Sequence, residues 1–394
     1  MGKNVQDYIE RLEYVKGLGN IMTVEHRSNN PKRDYLFCNK MQGKHIPVSP
    51  SAAFDIFDEL AYMVDKKLRD KKVVVVGFAE TATAIGGYMA SHVDSCVYHL
   101  QTSREDCNPI SRLIEFSEEH SHATEQYLYG ELDAMPDFDY ILFVEDEIST
   151  GKTIINFINE FNRVIPGLSF GVASICNWQD EKNKAIYDEL GIDTFALIRG
   201  ELRDVNAKMD VEIEETAMEY AGVLYDADAE LAARNVVNLG TGIPFFIERT
   251  GRVPNSPEVH NVVRSSTAKC IDFLGNCNDV LVLGTEEFMY VPMLVGEKLE
   301  EWGYRVNTHA TTRSSIDIMK DNDGDIKEGL VRKFKLHSAY DVNRVTYVYN
   351  LQKYDKVVVI TDSNTTDEFV KDIVSALESV GNKEANIMIL NLEK

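Results

Sequence analysis

The residues best suited to chemistry lie in one string, YILFVEDEISTGKT, residues 140–153. Its apolar start predicts a buried strand. The adjacent carboxylates Glu145 and Asp146 follow, and a short Ser/Thr/Gly loop leads into GKTIINFINEFNRV, a predicted helix. A helix N-terminus offers unsatisfied N–H groups and the positive end of the helix dipole, so Ile148, Ser149, Thr150, Gly151, Lys152 and Thr153 suit a phosphate dianion. Gly151 permits a close backbone approach that a Cβ prevents. Glu145 and Asp146, one strand end away, can accept both protons of a sugar diol. Phosphate and diol together specify a ribose 5-phosphate. Two other readings stay open. The ending STGKT resembles a nucleotide-binding P-loop, but that motif needs glycine where Asp146 stands, and a carboxylate there repels a triphosphate. The string also reads as a plain helix cap with no ligand.

The elements that must position this string alternate. KKVVVVGFAE is a predicted buried strand and TATAIGGYMASHV a helix; SCVYHLQTSRE, DFDYILFVEDE, SFGVASICNW and DTFALIRGEL continue the strands. Such alternation predicts an α/β chain with a doubly wound parallel sheet over residues 1–200. Residues 201–268 change character: VEIEETAMEYAGVLYDADAEL predicts an acidic helix, and the Gly- and Pro-rich run after it a connector. From 269 to 394 the alternation resumes. NDVLVLGTEEFMYVPMLVGEKLEEWG reads as strand, turn and helix, YRVNTHATTRSS resembles CVYHLQTSRE, and KYDKVVVITDSNTTDEFVKDIVSAL aligns without gaps on DFDYILFVEDEISTGKTIINFINEF. Asp139 falls on Asp355, Asp146 on Asp362 and Thr150 on Thr366. The recurrence predicts an internal duplication of one α/β unit; two unrelated doubly wound domains would share a similar pattern.

Composition bounds the partners. With 41 Lys+Arg against 64 Asp+Glu, the net charge of −23 excludes a general nucleic-acid or anionic-membrane binder. No apolar run reaches the about 20 residues that span a bilayer, and the charged N-terminus lacks a signal-peptide core. The six cysteines form no CxxC pair, which points to reduced thiols and a cytoplasmic setting.

A strand ending in Glu-Asp, then a short loop with Ser-Thr-Gly-x-Thr, resembles the phosphoribosyl-pyrophosphate (PRPP) signature of type I phosphoribosyltransferases. NKMQGKHIPVSP, HLQTSRE, SEEHSHA and HATTRSS narrow the resemblance to orotate-like transferases fused to a C-terminal TRSP domain, associated with bacterial tellurium-resistance and stress gene clusters. Ser315 replaces the proline of that domain's name. The resemblance implies two phosphoribosyltransferase-like domains. It places pyrophosphate binding at Gly77, Phe78, Ala79, Glu80 and Thr81, and a cation for the leaving pyrophosphate at Arg104. A surface ion pair with Glu105 or Asp106 is the other reading of Arg104. Glu119, His120 and His122 fall in the family's closing loop, as acid/base groups, ligands of magnesium-bound water, or a solvated turn; their spacing fits no zinc motif. Lys44 and His45 belong to the hood over the base, or to a turn held by two prolines.

The expected activity is Mg²⁺-dependent transfer of a phosphoribosyl group between PRPP and a nitrogenous base, in either direction, with no direct protein ligand to the metal. The partners implied are PRPP, a base or nucleotide, and a second copy in a homodimer. A non-catalytic PRPP or nucleotide sensor and an assembly subunit are the alternatives. In the C-terminal half Glu145 becomes Thr361 and Gly151 becomes Asp367, and a carboxylate opposes a phosphate at that loop. Gly284, Thr285, Glu286, Glu287, Thr311, Thr312, Arg313, Ser314 and Asp362 are expected to form a pocket of altered chemistry there, holding the nucleotide product or serving a second step.

Overall fold

The computed structural model describes residues 5–14, 21–27, 33–107, 110–117, 125–204, 207–213, 218–220, 236–240, 247–320 and 329–392. The first half runs α1 (Val5–Tyr8), β1 (Ile9–Tyr14), β2 (Met22–Arg27), β3 (Tyr35–Asn39), α2 (Pro50–Leu68), β4 (Val73–Gly77), α3 (Thr83–His92), β5 (Cys96–Ser103), β6 (Arg112–Ser117), β7 (Glu125–Tyr129), β8 (Tyr140–Ile148), α4 (Lys152–Val164), β9 (Ser169–Asn177), α5 (Glu181–Glu189) and β10 (Ile192–Leu202). The second runs β11 (Met218–Tyr220), β12 (Val236–Asn238), α6 (Pro257–Leu274), β13 (Asp279–Gly284), α7 (Tyr290–Glu301), β14 (Arg305–Ala310), β15 (Ile316–Asp317), β16 (Lys333–His337), β17 (Val345–Tyr349), β18 (Lys356–Thr361), α8 (Asp367–Ser379) and β19 (Ile387–Asn391).

The architecture is α/β. The first sheet is ordered β1-β10-β9-β8-β4-β5-β7-β6, and the second β12-β19-β18-β13-β14. Every pairing in the second sheet is parallel, whereas the first is mixed: β1 joins β10, and β7 joins β5 and β6, antiparallel. Its central strand β4 is VVVVG with no exposed residue, as a strand covered on both faces requires. Val73 and Val75 pack with α2 and α3 on one face, Val74 and Val76 with α4 on the other. Helix α2 starts at Ser49, whose hydroxyl accepts from the Ala52 amide, with Pro50 in its first turn. It buries Phe54, Phe57, Leu60, Ala61, Val64 and Leu68 at helical spacing.

The two sheets share the run β9-β8-β4-β5 and β19-β18-β13-β14. Asp139 accepts from the Lys72 amide at the foot of β4, and Asp355 from the Asn278 and Asp279 amides at the foot of β13, so the aligned aspartates perform one task in both halves.

Three boundaries differ from the sequence reading. Within the stretch expected as an acidic helix, the described part includes strand β11, paired parallel with β16; most of the rest lies outside the described residues. The boundary at 268/269 falls inside α6, so the second unit has begun by Pro257. The connector is also no free linker. Arg252 exchanges backbone hydrogen bonds with His99 of β5, and Thr250 bridges to Tyr129 of β7. The halves share one core, in which Met289, Tyr290, Met293 and Ala310 join α2 and α3. Among the described residues no helix is long and apolar enough to cross a membrane.

Candidate functional site

Strand β8 ends in Glu145, Asp146, Glu147 and Ile148. The first three are partly accessible and Ile148 is buried. Ile148 therefore belongs to the strand and not to the phosphate loop: it pairs with Asn177, and its carbonyl accepts from Trp178. Ser149, Thr150, Gly151, Lys152 and Thr153 are solvent-accessible. Gly151 holds φ +74 as the cap of α4, and a Cβ there would lie 2.2 Å from the Tyr187 hydroxyl, which donates to the Gly151 carbonyl at 2.9 Å. Both the left-handed backbone and the close approach of Tyr187 demand glycine. The cap residue Gly151 brings no side chain to this helix; the Lys152 amide donates to Thr150 Oγ1 at 3.4 Å, and the first-turn amides after it meet no side-chain acceptor among the described residues, open to an incoming one.

The carboxylates divide their work. Burial first, then the neighbouring Glu147, push the Asp146 carboxyl up to about 6, against a hydrogen bond from Thr81. Glu147 pairs with Arg33 at 2.8 Å, and the Arg33 guanidinium stacks over Tyr35 at 4.5 Å. Glu145 lies toward Tyr187. Arg27, at the end of β2, is pushed down by burial; Glu147 and Asp146 attract it, while Arg33 and Arg104 repel it. Arg104 Nε is buried with no hydrogen-bond partner among the described residues. Arg33 thus meets Glu147 directly at this strand end, and Arg27 lies within electrostatic reach of Asp146, Glu147 and Arg104. The sequence reading missed Arg27 and Arg33; the basic charges at the two ends of RSNNPKR were the available signal.

The loop Gly77–Thr81 leaves β4 beside this site. Gly77 packs on the Gly86 backbone, Phe78 is buried in the α4-side core, and the Ala79 amide donates to Thr102 Oγ1 at 2.8 Å, just before a cis Ala79–Glu80 peptide. Glu80 turns away into the seam between the halves. There Lys44 meets it at 2.6 Å, and the Arg313 amide donates to it at 3.3 Å. Burial pulls the Glu80 carboxyl up, but Lys44 and then Arg313 hold it down to about 2. Lys44 also donates to the carbonyls of Glu286 (2.5 Å) and Thr311 (2.9 Å). Lys44 is therefore a seam residue rather than a base contact. His45, held down to about 3 by burial, is a buried neutral ring beside Tyr349.

The C-terminal candidates do converge, but on each other. Arg313 reaches Glu286 at 2.7 Å and pairs with Glu105; Arg344 pairs with Glu105 at 2.7 Å and Glu286 at 3.1 Å. Arg249, fully buried, meets Glu287 at 3.0 Å and Asp362 at 3.1 Å, and lies over the Tyr340 ring at 4.7 Å. The Tyr340 hydroxyl donates to Asp362 at 2.8 Å and lies 2.7 Å from Thr285 Oγ1, itself 3.1 Å from Thr361. Gly284 admits no Cβ, because the Phe288 carbonyl would lie 2.4 Å away. Thr312 and Ser314 shape the turn, with the Ser314 amide donating to Thr312 Oγ1. Arg249, Tyr340 and Arg344 were not singled out from sequence; ERTGR and SAYDVNR carried them. Glu119, His120 and His122 lie outside the described residues. Among the described residues no cluster of His, Cys, Asp or Glu is arranged to hold a metal ion.

Residues 21–201 match the family model described as phosphoribosyl transferase, and residues 249–377 match the model described as the TRSP domain C-terminal to it. Each half of the chain thus matches one part of a two-part family. Similar solved structures include adenine phosphoribosyltransferase from Rhodothermus marinus (17% identity, TM-score 0.34, 45% of this chain and 95% of that one). They also include adenine phosphoribosyl transferase from Trypanosoma brucei (12%, 0.30, 48% and 93%) and orotate phosphoribosyltransferase from Aeropyrum pernix (14%, 0.27, 37% and 71%). A comparison with proteins of curated function finds no match.

Proposed function

We propose that this chain transfers a phosphoribosyl group between PRPP and a nitrogenous base at the end of β8. The observation that carries the reading is the contrast between the two strand ends. At β8, Asp146 faces an uncapped helix started by Gly151. At β18, Asp362 is covered by Arg249 and Tyr340, and Thr366 caps α8 with its own hydroxyl, accepting from the Phe369 amide at 3.2 Å. Only the first leaves helix amides open to a sugar phosphate.

As pyrophosphate leaves, C1 of the ribose gains oxocarbenium character. The α4 amides with Ser149, Thr150 and Thr153 hold the 5-phosphate, and Asp146 and Glu145 accept from the ribose hydroxyls, which fixes the ring for in-line departure. Arg104 and Arg27 face the negative charge that grows on the leaving group. The Asp146 carboxyl, raised by burial and then by Glu147, lies beside a second carboxylate, an oxygen-donor pair that would suit the water shell of a Mg²⁺ ion brought in with the substrate. Bound there, Mg²⁺ supplies charge neutralisation to the leaving pyrophosphate.

The test is pyrophosphate release from PRPP across a panel of bases, with mass spectrometry of the products. Glu145→Gln with Asp146→Asn should abolish release and leave the circular dichroism unchanged; full activity in that double variant rules the site out. A second reading, a PRPP or nucleotide sensor, draws on Glu80: the pyrophosphate loop is tied into the seam and offers no cation of its own. PRPP binding by calorimetry without release from any base favours the sensor.

A further inference from the structure

The contacts across the seam come in reciprocal pairs. Glu80 of the first half accepts from the Arg313 amide of the second (3.3 Å), and Glu287 of the second accepts from the Arg104 amide of the first (2.8 Å). Each glutamate also meets a buried cation: Lys44 on Glu80 at 2.6 Å, Arg249 on Glu287 at 3.0 Å. Inside each half the loop before the glutamate is tied the same way, Ala79 amide to Thr102 Oγ1 and Glu286 amide to Thr311 Oγ1. Val48 pairs with Thr308 of β14, and Arg252 with His99 of β5, each by two backbone hydrogen bonds. With the shared strand order, these pairs relate the halves by an approximate twofold axis through the seam.

The symmetry breaks where the chemistry sits. Ala79 of the first half corresponds to Glu286 of the second. Glu286 pairs with Arg313, so that guanidinium is neutralised by its own loop. Ala79 offers Arg104 no such carboxylate at the equivalent place, and the Arg104 Nε keeps no hydrogen-bond partner among the described residues, with Glu80 its neighbouring charge. The second half also extends the hood: β15 pairs antiparallel with β2, Ile316 opposite Arg27 and Asp317 opposite His26, in the small sheet β15-β2-β3.

We infer that the C-terminal half is a built-in second subunit that completes one phosphosugar site per chain: Glu287 positions Arg104 through its amide, β15 braces the strand that carries Arg27, and the half's own strand end is closed by Arg249 and Tyr340. This rests on the transferase reading for the ligand, but not for the latch. Glu287 is a positioning residue. A charge-assisted hydrogen bond from the Arg104 amide to the fully buried Glu287 carboxylate holds the backbone of Arg104.

The experiment combines calorimetry with PRPP and Mg²⁺, thermal melting and amide hydrogen exchange on the full chain. Wild type should bind one PRPP per chain. Glu287→Gln keeps an acceptor oxygen for the amide and loses the charge facing Arg249; Glu287→Ala loses both. The inference expects both variants to lower Tm, whereas only Glu287→Ala weakens PRPP binding, by about tenfold, and speeds exchange in peptides covering 102–107. Affinity that simply follows Tm in both variants overturns the positioning role, as does unchanged exchange at 102–107 in Glu287→Ala. Two PRPP per chain, or binding that survives Asp146→Asn, overturns the closed second pocket. If Glu287→Ala does not fold, Glu287→Asp replaces it, because it draws the carboxylate back from the amide while keeping the charge. If wild type binds no PRPP, the transferase reading falls, and the exchange data alone decide the latch.

Discussion

Asp146 carries two opposed demands. Its carboxyl in the folded chain is pushed up to about 6, above the ordinary value of 3.8 that it takes when unfolded. Between those values the folded state holds a proton that the unfolded state has released, so folding loses stability as pH rises from about 4 to 6 and stays lower above that window. Asp146→Asn should therefore raise Tm at pH 7–8, with the gain vanishing below pH 4, while phosphoribosyl transfer disappears. Melting curves across that range check the sign; a variant less stable at pH 8 refutes it. Gly151→Ala should destabilise by about 1–3 kcal/mol and lose PRPP binding, because the new Cβ meets Tyr187 in a left-handed backbone. Urea denaturation and calorimetry on one preparation read both effects. Lys44→Met should be the costliest of these changes, at about 3–5 kcal/mol, since it strands the buried Glu80 carboxylate.

At the scale of elements, the two helix starts behind β8 and β18 differ although the strand orders around them match. Helix α8 is self-sufficient, with the Thr366 hydroxyl on the Phe369 amide and Asp367 and Glu368 in its first turn, where the helix dipole favours negative charge. Thr366→Ala should cost about 1 kcal/mol in chemical denaturation and leave PRPP affinity unchanged. Helix α4 has no such cap and depends on what binds there. PRPP should therefore protect the first turn of α4 from hydrogen exchange and not that of α8. A third helix, α7, is capped from a distance: the buried Glu248 carboxylate accepts from the Met289, Tyr290 and Val291 amides. The ERTG stretch thus closes a helix with its glutamate and fills the second pocket with its arginine. A segment that reads as a connector is the main rivet between the halves.

For the molecule as a whole, a core that mixes α2, α3 and α7 with a seam of buried ion pairs makes separate unfolding of the halves unfavourable. The two tryptophans report on this directly, since Trp178 lies in the first half and Trp302 in the second. Trp178→Phe and Trp302→Phe, each leaving one reporter, should give coincident urea transitions in fluorescence and circular dichroism. Separated midpoints would show two independent units instead. The net charge of −23 makes the chain acidic overall, so the guanidiniums of Arg27 and Arg33 near the end of β8 stand out against it.

The alternating strands and helices, the Glu-Asp strand end, the Ser/Thr/Gly loop and the aligned Asp139 and Asp355 were legible because each rests on local spacing. Burial of a strand on both faces needs an apolar run, and a left-handed helix cap such as Gly151 needs glycine, whatever the rest of the chain does. Ile148 was misplaced by one residue because a strand end is set by its neighbour, here Asn177 of β9. The tertiary structure alone decided that Lys44 joins Glu80, that Arg249 lies between Glu287 and Asp362, and that β15 extends the hood built by β2. Those contacts join residues from different elements, far outside the spacing of any one helix or strand. Whether a buried charge serves a ligand or another side chain depends on which opposite charge packing brings within a few ångströms, and that is a property of the folded chain.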